Sequence, residues 1–217
     1  MNKRIAKPAL LLLGPTGSGK TPLGDALMSR RFRGRRCVHF DFGQRLREVA
    51  SGAGTGFMTN AERAFLTEVL AAGALLENET FCLAEKIITH FLDREGRDAE
   101  LVVLNGLPRH CGQAVDIVPF FNVQQLVVLR CACETIVERL RMNSGGDRTY
   151  RTDDHLELVS KKLLAFNTRT SPLVSFYRDA GCVITEIAVE INTTPQEIIS
   201  TLEADKRSSG SSTRLSQ

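Results

Sequence analysis

Gly14-Pro15-Thr16-Gly17-Ser18-Gly19-Lys20-Thr21 decides how this chain is read. The stretch fits G-x-x-x-x-G-K-[ST], a loop whose backbone N–H groups cradle phosphates. Ala9-Leu10-Leu11-Leu12-Leu13 precedes it, short and wholly apolar, as a strand covered on both faces would be. Leu23, Ala26 and Leu27 follow at i, i+3, i+4, one face of a helix. Strand, glycine loop and helix together turn the pattern into an anion site, because the helix start adds its partial positive charge. In such a loop Lys20 reaches the β- and γ-phosphates and the Thr21 hydroxyl faces Mg2+. Pro22 falls in the first helical turn, where a missing N–H costs nothing.

Composition sets the outer limits. A chain of 217 residues that is 42% hydrophobic and 24% charged is expected to fold as one globular domain with a buried core. A net charge of +3 without a long basic run argues against a nucleic-acid stripe and suits a site that gathers phosphates. The six cysteines are scattered without a C-x-x-C, so reduced thiols in a cytoplasmic protein are expected and zinc is not. No apolar run approaches the roughly 18 residues of a membrane span. The basic N-terminus runs straight into the loop strand, so no signal peptide is expected.

Taken in order, the chain alternates strands and helices. Arg30 to Arg36 reads as a solvated, basic connection. Cys37 to Asp41 reads as a second strand, with a helix opening at Phe42. Thr59-Asn60-Ala61-Glu62 is a capping box. Helices are expected from it to about Ala72, and from Glu77 to about Phe91. Leu101 to Leu104 and Leu126 to Leu129 read as buried strands, with helices from about Gly112 to Phe120 and Glu134 to Met142. Asp154-His155-Leu156-Glu157 starts a long helix ending near Tyr177. Cys182 to Ile187 is the last strand, and Thr194-Pro195-Gln196-Glu197 starts the last helix. This alternation predicts an α/β fold: three layers, with a central five-stranded parallel sheet between helices. One domain is expected over 1–204, with small excursions at about 42–76 and 142–153. Ser, Gly and charge dominate 205–217, which predicts a disordered tail.

Four further segments give the chain a family resemblance. Asp41-Phe42-Gly43-Gln44-Arg45-Leu46-Arg47, Asn105-Gly106-Leu107-Pro108-Arg109 with Gln113, Arg151-Thr152-Asp153-Asp154, and Thr170-Ser171-Pro172-Leu173 with Phe176, Tyr177 and Gly181 occur in that order behind the loop. In this order and spacing the chain resembles the adenylate kinases, the short-lid nucleoside monophosphate kinases of the P-loop superfamily. The resemblance implies transfer of the ATP γ-phosphoryl to a nucleoside monophosphate, AMP first, with Mg2+ as cofactor. It implies ATP held by Gly14 to Pro22 with Arg139 stacked on its adenine. Arg47 and Arg109 would take the acceptor phosphate, bidentate pairing being the reason for Arg. Phe42, Leu76, Gly106 and Gln113 would surround the acceptor base. Arg151 and Lys162 would complete the catalytic cations with Lys20, Arg47 and Arg109. Asp153 and Asp154 would hold the lid. ATP and a monophosphate are the expected partners, with no nucleic acid or membrane, and a monomer is expected.

The sequence also departs from the family pattern. Asn105 stands where the family has an acid that orients Mg2+ through water, and is expected to keep that place with only a neutral carbonyl. Asp41, at the end of the adjacent strand, is the candidate replacement. Asn143 stands at a lid-hinge arginine, with Arg141 and Arg148 nearby. Lys162 replaces a second lid arginine and loses the fork of donors. Phe42 replaces a small hydroxyl residue, and Thr21-Pro22 replaces Gly-Thr. Two other readings therefore stay open: a catalytically weakened, nucleotide-binding regulatory protein, and a P-loop kinase of another small acceptor. The lid is short, without the four-cysteine zinc site of longer ones.

Overall fold

The computed structural model describes residues 5–52, 56–147 and 156–209. Six strands form its sheet: β1 (Lys7–Leu13), β2 (Arg31–Phe32), β3 (Arg35–Asp41), β4 (Leu101–Asn105), β5 (Phe121–Arg130) and β6 (Val183–Ala188). Their order is β2-β3-β4-β1-β5-β6. The five longer strands are all parallel. Period-two alternation splits the strand residues between two cores. Ala9, Leu11, Leu13, Phe40, Val102, Leu104, Leu126 and Val128 face one side. Leu10, Leu12, Leu101, Val103, Val127 and Leu129 face the other.

Helices α1 (Lys20–Met28) and α9 (Pro195–Ser209) cover the second core through Leu23, Leu27, Ile198, Ile199 and Leu202. The first core takes α2 (Phe42–Ala50), α3 (Asn60–Ala72) and α4 (Phe81–Arg94). It also takes residues of α5 (Cys111–Asp116) and α8 (Leu173–Asp179). Helices α6 (Cys133–Met142) and α7 (Leu156–Ala165) flank the cleft at the carboxyl ends of the strands. The capping box expected at Thr59 is present: its hydroxyl accepts from the Glu62 N–H and Glu62 accepts from the Thr59 N–H. Thr194 and Glu197 make the same reciprocal pair at the start of α9.

The structure differs from the sequence reading at five elements. The basic connection contains β2, an antiparallel sixth strand that adds to the expected five. Arg33 and Gly34 both have positive φ (51° and 78°), the requirement of a tight two-residue hairpin. Fully buried Phe32 anchors that hairpin among the arginines. The helix expected from Glu77 begins as a short 3-10 turn, Asn78–Thr80, before α4. The helix expected to reach Phe120 ends at Asp116, because β5 starts at Phe121, earlier than its apolar run. The long helix ending near Tyr177 is α7, a π-helical turn Phe166–Thr170, and α8. Its capping residues Asp154 and His155 lie outside the described residues. At the C-terminus α9 continues to Ser209, past the expected end of order at Ala204.

Candidate active site

β1 delivers the chain to the glycine loop, and α1 leaves from it. Gly17 and Gly19 have φ of 79° and 92°, left-handed values that a side chain resists. A Cβ on Gly17 would also meet Ile136 at 3.1 Å and Leu140 at 3.2 Å, so α6 packs directly on the loop. The Lys20 ammonium donates to the carbonyls of Gly14 (2.7 Å) and Pro15 (2.6 Å), lying back across the loop. Ser18 is fully buried and its hydroxyl donates to the Pro15 carbonyl, so that side chain braces the loop from inside. No acid sits in the first turn of α1, which leaves its positive pole to an incoming anion.

Beside the loop, the ends of β3 and β4 carry Asp41 and Asn105 in direct register. Both are buried. Thr21 donates its hydroxyl proton to Asp41 Oδ2 at 2.6 Å, and Asn105 Nδ2 donates to the same oxygen at 2.8 Å. The Gln44 N–H donates to the other oxygen, making Asp41 the N-cap of α2. Burial works to raise the Asp41 pKa. The Thr21 hydroxyl, the Gln44 N–H and the charges of His39 and Arg47 outweigh it, and the carboxyl titrates below its ordinary value.

One cleft joins the loop to the other predicted groups. Arg47, Arg109 and Lys162 line it together with Lys20, Thr21, Asp41 and Asn105. Gly14, Thr16, Pro22, Gly106 and Arg139 also line it, as do Phe42, Leu76 and Gln113. Arg109 is enclosed enough that burial lowers its pKa, which the charge of Asp41 partly offsets. The guanidinium remains protonated, since its titration starts from so high a value. The Thr170 hydroxyl donates to the Arg109 carbonyl at 2.8 Å and fixes the backbone there.

Several predicted side chains are more committed than the sequence implies. Arg139 is buried. Its Nη1 donates to the carbonyls of Glu190, Ile191 and Thr193, and its Nε to that of Gly17. Its Nε and Nη1 are thus used to bind the loop before α9 to the glycine loop. Gln113 Oε1 accepts from the Arg109 N–H at 2.7 Å, and Nε2 donates to the Leu76 carbonyl at 2.8 Å. That carbonyl has a second donor, His110 Nε2, at 3.1 Å. Both lone pairs of the Leu76 oxygen are therefore taken within the chain. Arg141 lies with Glu138 on the exposed face of α6, away from the cleft. Asn143 is the left-handed C-cap of α6 (φ 48°) and Ser144 bonds back to Arg139. Arg148, Arg151, Asp153 and Asp154 lie outside the described residues.

The sequence places His110 beside the site but does not show its structural role. His110 caps α5, its Nδ1 accepting from the Gln113 N–H, while its other nitrogen donates to Leu76. Histidine is not a usual N-cap, so only its place directly after Arg109 pointed to it. Among the described residues no group of three His, Cys, Asp or Glu side chains forms a metal cage. No helix among them is long and apolar enough to cross a membrane.

A parallel sheet, a phosphate loop at the head of its central strand and a cation-lined cleft beside it define a P-loop phosphotransferase. Comparison with known proteins narrows the class. The chain is 30% identical over 181 residues to an adenylate kinase of Xanthomonas campestris pv. campestris, covering 79% of this chain and 86% of that one. It is 29% identical over 198 residues to an adenylate kinase of Parasynechococcus marenigrum, covering 88% and 94%. It is 27% identical over 186 residues to adenylate kinase isoenzyme 1 of Caenorhabditis elegans, covering 84% and 80%. No family model matches the chain. The chain belongs to the adenylate kinase family, and is a phosphotransferase of the nucleoside monophosphate kinase type.

Proposed function

We propose that this chain transfers the γ-phosphoryl of ATP to a nucleoside monophosphate, with AMP the first candidate. One observation carries the reading: the cleft places Lys20 and Thr21 of the glycine loop in the same enclosure as Arg47, Arg109 and Lys162. Phosphoryl transfer needs alignment of two nucleotides and neutralisation of phosphate charge more than covalent help. The glycine-loop amides, Lys20 and the α1 N-terminus would hold the donor phosphates. Arg47 and Arg109 would hold the acceptor phosphate, and Lys162 lines the cleft from the lid side. Partial enclosure of Arg109 in the cleft would strengthen its pull on a phosphate, because water competes less. α2 and α3, within 42–76, would form the acceptor side, and 142–153 the lid.

Mg2+ bound with ATP would supply further charge neutralisation. The residues present fit it. Thr21 and Asp41 are hard oxygen donors, and the carboxyl is held deprotonated at neutral pH. With no protein-only cage among the described residues, the phosphates would complete the coordination. A coupled assay with ATP, Mg2+ and each common monophosphate tests the proposal. ADP formation with at least one monophosphate is expected. Folded protein that forms ADP with none of them overturns it.

A second reading concerns the acceptor. Buried Phe42 and the doubly occupied Leu76 carbonyl favour a base other than adenine, or a smaller acceptor. The same assay distinguishes it, since the highest kcat/KM would then fall on a compound other than AMP.

A further inference from the structure

We infer that Asp41, rather than the residue at position 105, is the carboxylate that organises the metal carried by the donor nucleotide. The inference rests on the kinase reading above and sharpens it at one site. Asp41 Oδ2, unprotonated, has no hydrogen to give. The Asn105 atom facing it at 2.8 Å must therefore be the amide NH2. That NH2 also donates to Thr21 Oγ1 at 3.1 Å. Asn105 thus presents hydrogens, not a lone pair, to the space beside Thr21. Turning its carbonyl forward would break both bonds and set oxygen against the carboxylate.

The Thr21 hydroxyl is arranged the opposite way. Its proton is given to Asp41 at 2.6 Å and one lone pair is taken by Asn105. A hydroxyl oxygen held this way is a hard donor of the kind a divalent cation takes. Asp41 therefore orients Thr21 and supplies the negative charge, while Asn105 steadies both. Among the described residues the other acid lining the cleft, Asp147, lies two residues past Gly145, which packs on Pro22. Asp41 has a second duty. Its Oδ1 caps α2, and that helix carries Phe42 and Arg47 into the acceptor side of the cleft. One carboxylate thus ties the donor's metal to the acceptor's helix.

Calorimetric titration of a non-hydrolysable ATP analogue, with and without Mg2+, tests this without relying on turnover. Wild-type protein is expected to bind more tightly with Mg2+. Asp41→Asn should lose about 10–100-fold of that enhancement, the usual cost of removing a group that orients a metal ligand. Asp41→Ser should lose it too while still capping α2, which separates lost charge from a frayed helix. Asp41→Asn combined with Asn105→Asp returns the charge to the neighbouring strand end and should regain part of the enhancement. Single variants that keep the wild-type ratio overturn the inference, as does a double variant no better than Asp41→Asn. Wild-type protein that binds no analogue under either condition overturns the kinase reading instead.

Discussion

At the scale of residues, the site is a contest between burial and compensation. Arg109 is enclosed in the cleft with Asp41 as its nearest charge influence. An incoming phosphate would give that cation the bidentate partner its fork is shaped for. Arg109→Lys keeps the charge and loses the fork, so kcat/KM should fall by roughly 10²–10³, below the 10³–10⁵ of a lost transition-state arginine. Steady-state kinetics beside thermal melting separates this from a folding defect. Asp41 makes a pH prediction. Its pKa is lower in the folded chain than in the unfolded one, so its stabilisation is fully present above the unfolded value. It is lost as pH falls through the folded value. Asp41→Asn should therefore flatten the loss of stability below about pH 4, measured by urea unfolding at several pH values. Much of this was legible in the sequence, since the loop, Arg47 and Arg109 sit at characteristic spacings. His110 and the occupied Leu76 carbonyl were not, because both depend on the loop before α4 folding against α5.

At the scale of elements, strong local signals and tertiary context divide the work. β1 and β4 carry the unbroken apolar runs Ala9 to Leu13 and Leu101 to Leu104 at the two central positions of the sheet, so they announce themselves. β2 does not, because it is two residues long and set among arginines whose partners are distant. Arg31 reaches Glu100, and Arg33 reaches Gln125 and the Leu202 carbonyl. Composition alone reads such a stretch as solvated. The end of α6 shows the same limit. Asn143 looks like a lost arginine when matched to the family, yet it occupies a left-handed C-cap that asparagine tolerates well. Asn143→Gly should be neutral or slightly stabilising. Asn143→Val should cost about 1–2 kcal/mol, because a β-branched residue resists positive φ. Chemical denaturation of the two variants checks the ordering. Should Asn143→Val match wild type, the cap contributes nothing to stability.

At the scale of the whole molecule, one sheet separates two cores and puts all its chemistry at one rim. The carboxyl ends of β1, β3 and β4 converge there, where open parallel sheets leave a crevice. Strand stability and site geometry are therefore coupled. Leu11, fully buried in β1 three residues before the loop, packs into the core that also receives α2 and α4. Leu11→Ala should destabilise the chain by about 2–5 kcal/mol through the cavity left behind. Nucleotide affinity measured well below the melting temperature should change little. A large loss of affinity without a loss of stability would show that the loop depends on this strand in some other way.

The central claim is that the cleft aligns two nucleotides so that a phosphoryl group passes between them. ATP labelled at its γ-phosphate, mixed with Mg2+, AMP and the folded protein, tests it most directly. Label is expected in newly formed ADP, and Lys20→Ala should abolish its appearance. Label that stays in ATP, or appears only as inorganic phosphate, with AMP and with every other monophosphate, would contradict it.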